Sequence, residues 1–461
     1  GTGGTGTAVG GTGGVGGGSG GGGAGPGTVY EVASSLADYS TLVAAVDKAG
    51  LASALDDDTA TLTVFAPDNA AFTQLLSDIG ASSLDDLSAE QLKPILLYHV
   101  LGTEVDAAAA GTAAGNDETV TGLGGTIQLG LSGSDIELDG SALVEVADVE
   151  ASNGIIHGID GVILPSITDV VVSDDAFSSL ETALTVADGD ASNPQLVSTL
   201  DDDTGTFTVF APPDAAFTAL VTALSSDTST GITALGDFAG YQLIPVLKYH
   251  VHSGTALMSG DVTTGEITTL GGTPAADASS GVDIDGASVT TADILTSNGV
   301  IHVIDAVLLP SITDVVTTAP EFASLAGAVV AADGGAGTPK VAPALDDAAA
   351  SGAYTLFAPD AQAFTDLGTP PSGQALTNVL LYHVLNESAA IYAQDALDLT
   401  SPTPFNTLLG NTANEQIIVS SPATTVVLDD AGTAVNGAVN GANYFTSNGV
   451  IHKVDKVLIH N

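Results

Sequence analysis

From residue 28 onward the apolar positions follow two rhythms. Between Val29 and Leu55, residues Leu36, Leu42, Val43 and Val46 recur at the spacing of an amphipathic helix. A polar loop, Asp56-Asp57-Asp58-Thr59, then leads into the apolar run Leu62 to Phe65, which predicts a buried strand. Ala66-Pro67-Asp68 ends that strand, and Asp68 or Asn69 can cap a helix predicted over Ala70 to Leu76. A second helix is predicted from Ser88 to Leu101, and from Thr119 onward apolar residues alternate with glycines as strands do. The series closes on Ser152-Asn153-Gly154-Ile155-Ile156-His157-Gly158-Ile159-Asp160. Asn-Gly is a turn signal because both residues tolerate positive φ, and the β-branched run after it suits a strand covered on both faces.

The whole order returns twice. The closing stretch recurs as Ser297-Asn298-Gly299-Val300-Ile301-His302-Val303-Ile304-Asp305 and as Ser447-Asn448-Gly449-Val450-Ile451-His452-Lys453-Val454-Asp455. Thr63 to Phe72 is matched by Thr208 to Phe217 and by Thr355 to Phe364. Leu97-Tyr98-His99-Val100 is matched by Lys248-Tyr249-His250-Val251 and Leu381-Tyr382-His383-Val384. Phe65 precedes Phe210 by 145 residues, and Phe210 precedes Phe357 by 147. Repeats of this length are whole domains, not solenoid units of about 20 to 50 residues. The reading is a Gly-rich arm over 1–27 and domains over 28–165, 166–310 and 311–461. The third departs most: Gly368-Thr369-Pro370-Pro371 shortens its first capped helix, and Asp346-Asp347 replaces the three-Asp loop. The joints at 164–170 and 309–315 are short and apolar, which predicts stiff rather than flexible links.

The three landmarks, F-A-P-D/P-x-A-F, Y-H-V and S-N-G-x-I-H-x-x-D, occur in order in every repeat and resemble the fasciclin-like family, the FAS1 domain. The resemblance implies an α+β fold, three tandem fasciclin-like domains, each a β-sandwich wedge with packed helices. It also implies a secreted or surface protein that adheres or builds matrix. In the family the Tyr-His region is linked to adhesion, which makes Tyr98, His99, Tyr249, His250, Tyr382 and His383 candidate contact residues. The alternative is a half-buried ring that packs its body and pairs its polar tip.

Charge narrows the partners. The chain holds 55 acidic residues against six lysines and no arginine, a net charge of −49. Such a surface repels phosphate backbones and anionic lipid, so nucleic acid is excluded. Like charges repel in the compact state and salt screens them, so the protein is expected to come from a salty environment and to lose stability in low salt. A thermal melt unchanged between about 10 mM and 1 M monovalent salt would count against this. Cysteine is absent, which removes disulfides and thiolate metal sites. No apolar run reaches the roughly 18 residues of a membrane span. A first residue that is Gly1, not Met, reads as a processed mature chain.

Residues 1–27 contain 17 glycines. Such a segment can be a flexible tether. It can also lie against another backbone and pair its amides and carbonyls there, which points to a neighbouring copy and a head-to-tail contact that does not close.

Candidate chemistry is thin. His157, His302 and His452 each stand three residues before Asp160, Asp305 and Asp455, a spacing that on a strand puts the two side chains on opposite faces. No Ser or Cys recurs at a fixed position to complete a triad. Asn153, Asn298 and Asn448, with the three histidines, are therefore expected to secure the turn by hydrogen bonds. Asp56, Asp57, Asp58, Asp201, Asp202 and Asp203, and the Asp188-Gly189-Asp190 loop, are weak candidates for a hard cation. Calcium needs about six to eight oxygens, and three adjacent carboxylates point apart. Phosphate-loop, zinc and dinucleotide motifs are absent, so no cofactor is expected. Asn386-Glu387-Ser388 is a lone glycosylation sequon. These features converge on a non-enzymatic extracellular structural or adhesion protein, self-assembling through residues 1–27 into a surface fibre or matrix. The alternative is a monomeric surface adhesin or ligand-binding protein with the arm as tether.

Overall fold

The computed structural model describes residues 26–190, 195–202, 204–334, 340–346, 353–410, 415–421, 425–430 and 436–459. Most of the arm (1–25), Asp203 and Asp347 lie outside the described residues. Within them one α+β unit is built three times, each with a seven-stranded sheet and helices packed on it.

In the first unit the strands are β1 (Leu62–Pro67), β2 (Val100–Leu101), β3 (Thr119–Thr121), β4 (Thr126–Ser132), β5 (Asp135–Leu138), β6 (Ala142–Ala151) and β7 (Gly154–Ile159), in the order β2-β1-β7-β6-β5-β4-β3. Only β1 and β7 pair in parallel, Leu62 opposite Gly154 and Pro67 opposite Ile159. Both are buried along their whole length. That is why they read as continuous apolar runs instead of alternating ones.

The two faces of this central pair serve two cores. Val64 and Ile156 face the helices, sharing a core with Val29, Leu42, Phe72 and Leu96. Phe65 and Ile159 face the other way and share a second core with Ile127, Leu129 and Leu138 of β4 and β5. Pairing between β6 and β7 shifts register between Val144 and Val146 and again between Val146 and Val149. Such bulges bend a strand, and here they let the β3–β5 arm close over β1 and β7 as a sandwich wedge.

Element boundaries differ from expectation in informative places. The stretch 29–55 is three helices, Val29–Ser35, Ser40–Lys48 and Ala52–Leu55. The helix after β1 runs Asn69–Asp78, with the Asp68 carboxylate accepting from the Ala71 amide at 2.7 Å. The helix expected to reach Leu101 stops at Tyr98, and Val100–Leu101 is already sheet, hydrogen-bonded to β1. Its counterparts stop at Tyr249 and Tyr382. The reason is the histidine that follows, described below.

Successive units are plugged together. Leu295, from the bulged strand of the second unit, packs with Leu75 and Ile95 of the first, with Ile79, Val162 and Leu164 beside them. Gln91 donates from its Nε2 to the Ala292 and Asp293 carbonyls at 2.9 and 3.2 Å. The second joint repeats the device. Phe445 enters the core of the second unit, its ring 5.6 Å edge-on from Phe238, and Gln242 donates to the Ala442 and Asn443 carbonyls, both at 3.0 Å. The equivalent plug position in the first unit is Glu150, which is exposed. Phe445→Ala is expected to cost about 3–5 kcal/mol and to split the joined melting of the second and third units into separate transitions. Calorimetry checks this, and an unaltered thermogram would contradict it.

Candidate functional site

Each unit places two histidines, a tyrosine, an asparagine and a threonine around the β1–β7 pair or its equivalent.

The first histidine ends a helix. The last carbonyls of any helix lack intrahelical partners, and His99 fills one of these vacancies with its own ring. Its Nδ1 lies 2.7 Å from the Ile95 carbonyl, and its Nε2 accepts the Ile163 amide at 3.2 Å. His250 does the same between the Val246 carbonyl and the Leu308 amide, and His383 between the Val379 carbonyl and the Leu458 amide. The amide on Nε2 requires the proton on Nδ1, so the tautomer is fixed. Burial pushes all three rings down to about 4, outweighing the backbone bond that favours the cation. The neighbouring tyrosines are buried too. Tyr98 and Tyr382 donate to the Thr126 and Gln416 carbonyls at 2.9 and 2.8 Å, and Tyr249 to the Asp285 carboxylate at 2.7 Å.

The second histidine takes the opposite tautomer. His157, His302 and His452 donate from Nε2 to the carbonyls of Val105, Leu257 and Ile391 at 2.7–2.8 Å. Their Nδ1 atoms accept the amides of Asp148, Asp293 and Asn443 at 3.2–3.3 Å. Those three residues sit at the bulge with φ of 54°, 59° and 58°. The rings stack on Phe65, Phe210 and Phe357 at 5.6–5.8 Å. Burial pushes His302 down and His452 to about 4. The expectation that these histidines secure the Asn-Gly turn is corrected here. They tie the bulge to the loop after β2, on the wedge side, and that loop is also held by Thr63, whose hydroxyl donates to Thr103 and accepts from Val105.

At the turn itself the asparagine, not the histidine, makes the side-chain clamp common to all three units. The Asn153 side chain accepts the Val29 amide at 2.8 Å and donates to the Leu55 and Asp57 carbonyls. Asn298 joins Ile167 to Leu200, and Asn448 joins Ile312 to Leu345. Each fastens the first helix of its unit to the start of β7 or its equivalent. Asn153, Asn298 and Asn448 do not use positive φ; the glycine after each does.

Among the described residues these groups do not come together as a reacting centre. Asp160, Asp305 and Asp455 accept the amides of Leu143, Ser288 and Ala438 and do not meet the histidines. Each of the six buried imidazoles has one donor and one acceptor, and both are used. No ring lone pair is left for a proton or a metal.

Six of the acidic-loop carboxylates among the described residues hold nearby backbone or hydroxyl groups. Asp56 receives the Thr28 hydroxyl, Asp57 the amide and hydroxyl of Thr59, and Asp58 the Ser152 hydroxyl. Asp201 receives Thr168, and Asp202 receives Thr204. Asp188 caps the helix Leu196–Leu200. Among the described residues no three or more His, Cys, Asp or Glu side chains gather in a way that could hold a metal. Nor is any single helix there long and apolar enough to cross a membrane.

Sequence reasoning missed Thr63, the bulge residues and the two joint glutamines. Thr63 was visible as a hydroxyl inside an otherwise apolar strand. Gln91 was visible as the third residue after Ser88, and it does complete that capping box with its Oε1. Only the folded chain shows its Nε2 reaching the next unit.

The architecture is that of tandem α+β modules whose buried polar groups are spent on holding backbone together. The fasciclin domain model matches residues 37–165, 176–310 and 338–460, and the chain belongs to the fasciclin family. A Synechocystis protein is 37% identical over 138 residues, 30% of this chain and 73% of its own length. Transforming growth factor-beta-induced protein ig-h3 of Sus scrofa is 28% identical over 356 residues, 73% of this chain. The chain spans 47% of that relative's length. A solved FAS1 domain pair from the insect cell adhesion molecule Fasciclin I matches at 19% identity with a TM-score of 0.29, over 59% of this chain and 96% of the pair.

Proposed function

We propose that this chain is an extracellular or surface structural and adhesion protein, built of domains at 28–165, 166–310 and 311–461, that assembles with copies of itself through residues 1–27. The observation that carries this reading is the use of six buried histidines and of Tyr98, Tyr249 and Tyr382 in holding the fold, which leaves packing and surface contact as what the domains offer. The adhesive role assigned by resemblance to Tyr98, His99, Tyr249, His250, Tyr382 and His383 does not survive their burial, since all six are at most 3% exposed. Adhesion therefore rests on the acidic outer surface and on the arm.

The arm suits assembly because glycine admits close backbone approach, and its amides and carbonyls need partners when covered. The end of the arm is anchored: the Gly27 carbonyl accepts the Ser152 amide at 2.9 Å, as Pro165 and Pro310 do from Ser297 and Ser447. Electron microscopy and light scattering on the full chain and on a chain lacking residues 1–27 test the reading. Filaments only in the full chain support it, and filaments in both, or in neither, refute the arm's role. A second reading, a ligand-binding adhesin with the arm as tether, is favoured by one feature of the first domain.

A further inference from the structure

That feature is an apolar pocket of about 60 Å³ among the helices over β1 of the first domain. Three of its lining residues, Val29, Ala33 and Leu62, occupy positions where the other domains carry larger side chains. Leu62 lies opposite Gly154 in the sheet, and the residues paired with the equivalent glycines, Gly299 and Gly449, are Phe207 and Tyr354. Val29 donates its amide to Asn153, and the residues that donate to Asn298 and Asn448 are Ile167 and Ile312. Four residues further on, Ala33 answers to Val171 and Val316. All of these are buried. The space is what is left when an aromatic ring and further methyl groups are removed from one corner of a shared core. It reaches the surface beside Tyr30, Leu97 and Leu123, of which Leu123 is 48% exposed.

We propose that this pocket binds the alkyl end of a small neutral molecule. The lining offers carbon almost throughout, and the polar atoms that touch it are spent: the Tyr30 hydroxyl donates to Asp47 at 2.7 Å, and both nitrogens of His99 are bonded. A dry apolar cavity of this kind takes up apolar guests because no water inside it can be satisfied. The volume admits a short alkyl group and not a ring system with substituents. The net charge of −49 disfavours a guest with an anionic head, and the lining holds no carboxylate to pair a cationic one, which leaves neutral alcohols, esters or the alkyl terminus of a neutral lipid.

The test is titration of the full chain with 1-pentanol at high salt, followed by methyl NMR. Saturable shifts confined to methyls that line the pocket, Val29, Leu62 and Leu97 among them, are expected. Leu62→Phe restores the ring found in the second domain, and should raise the melting temperature and weaken pentanol binding at least tenfold. Ala33→Val gives the same reading if Leu62→Phe does not fold. Linear, non-saturating shifts in the wild type, or binding unchanged in the filled variants, overturn the proposal. So does binding that appears only after Val9→Ala and Val15→Ala, because the arm would then be the occupant. Assembly of the full chain into filaments is read separately, so either idea can fail alone.

Discussion

Gly299→Ala is expected to unfold the second domain while leaving the first folded. Gly299 has φ of +153°, a region that L side chains rarely adopt, and a Cβ there would overlap the Phe207 carbonyl oxygen. That oxygen is backbone of the parallel partner strand and cannot rotate away. Relief requires the two central strands to separate, and both cores hang on that pair. The loss should reach about 4–5 kcal/mol, in the tail of single-residue effects. Hydrogen exchange read by mass spectrometry would locate it. Protection of residues 207–211 and 299–304 within about 1 kcal/mol of wild type would contradict the argument. Gly154 and Gly449 stand in the same relation to Leu62 and Tyr354, with φ of +150° and +158°.

Acidification should have the second large effect. His99, His250, His383 and His452 are held down at about 4 by burial, whereas an unfolded imidazole titrates near 6.5. Between these values the unfolded chain binds protons that the native chain refuses, so stability falls as pH drops from about 6.5 toward 4. Each ring contributes about 3 kcal/mol across that window. Two of the four lie in the third domain, one in the second beside the lowered His302, and one in the first. Asp169 and Asp346, raised by burial, bind protons earlier in the folded chain and oppose the trend near the carboxylate range. Urea unfolding at pH 7 and pH 4.5, resolved by domain, measures the effect. With both measurements made at about 1 M salt, where repulsion among the acidic groups is screened, stability that holds or rises on acidification would be incompatible with these neutral rings.

Much of this fold was legible in the chain. The repeated landmarks mark its most constrained points: the buried parallel strands, the helix that ends in Tyr-His, and the Asn-Gly turn. Each depends on short-range chemistry that a sequence displays directly. What was not legible is long-range. Nothing local shows that His157 reaches Val105, or that Asp148 takes a left-handed conformation so that its amide can meet that ring. Asparagine and glycine both looked like turn residues. Only the folded chain separates their work, the glycine supplying backbone conformation and the asparagine a clamp on a helix 124 residues away. The adhesive reading of Tyr-His failed because an aromatic residue beside a histidine looks alike in a sequence whether it faces solvent or core.

The plugs between units carry a consequence for evolution and engineering. Leu295 is seated among aliphatic side chains of the first unit, Phe445 against the Phe238 ring of the second, and Glu150 stands in the corresponding place on the first. The three modules are therefore not interchangeable beads. A permuted chain that puts the first module after either of the others would press a carboxylate into an oily seat, so their order is written into one side chain apiece.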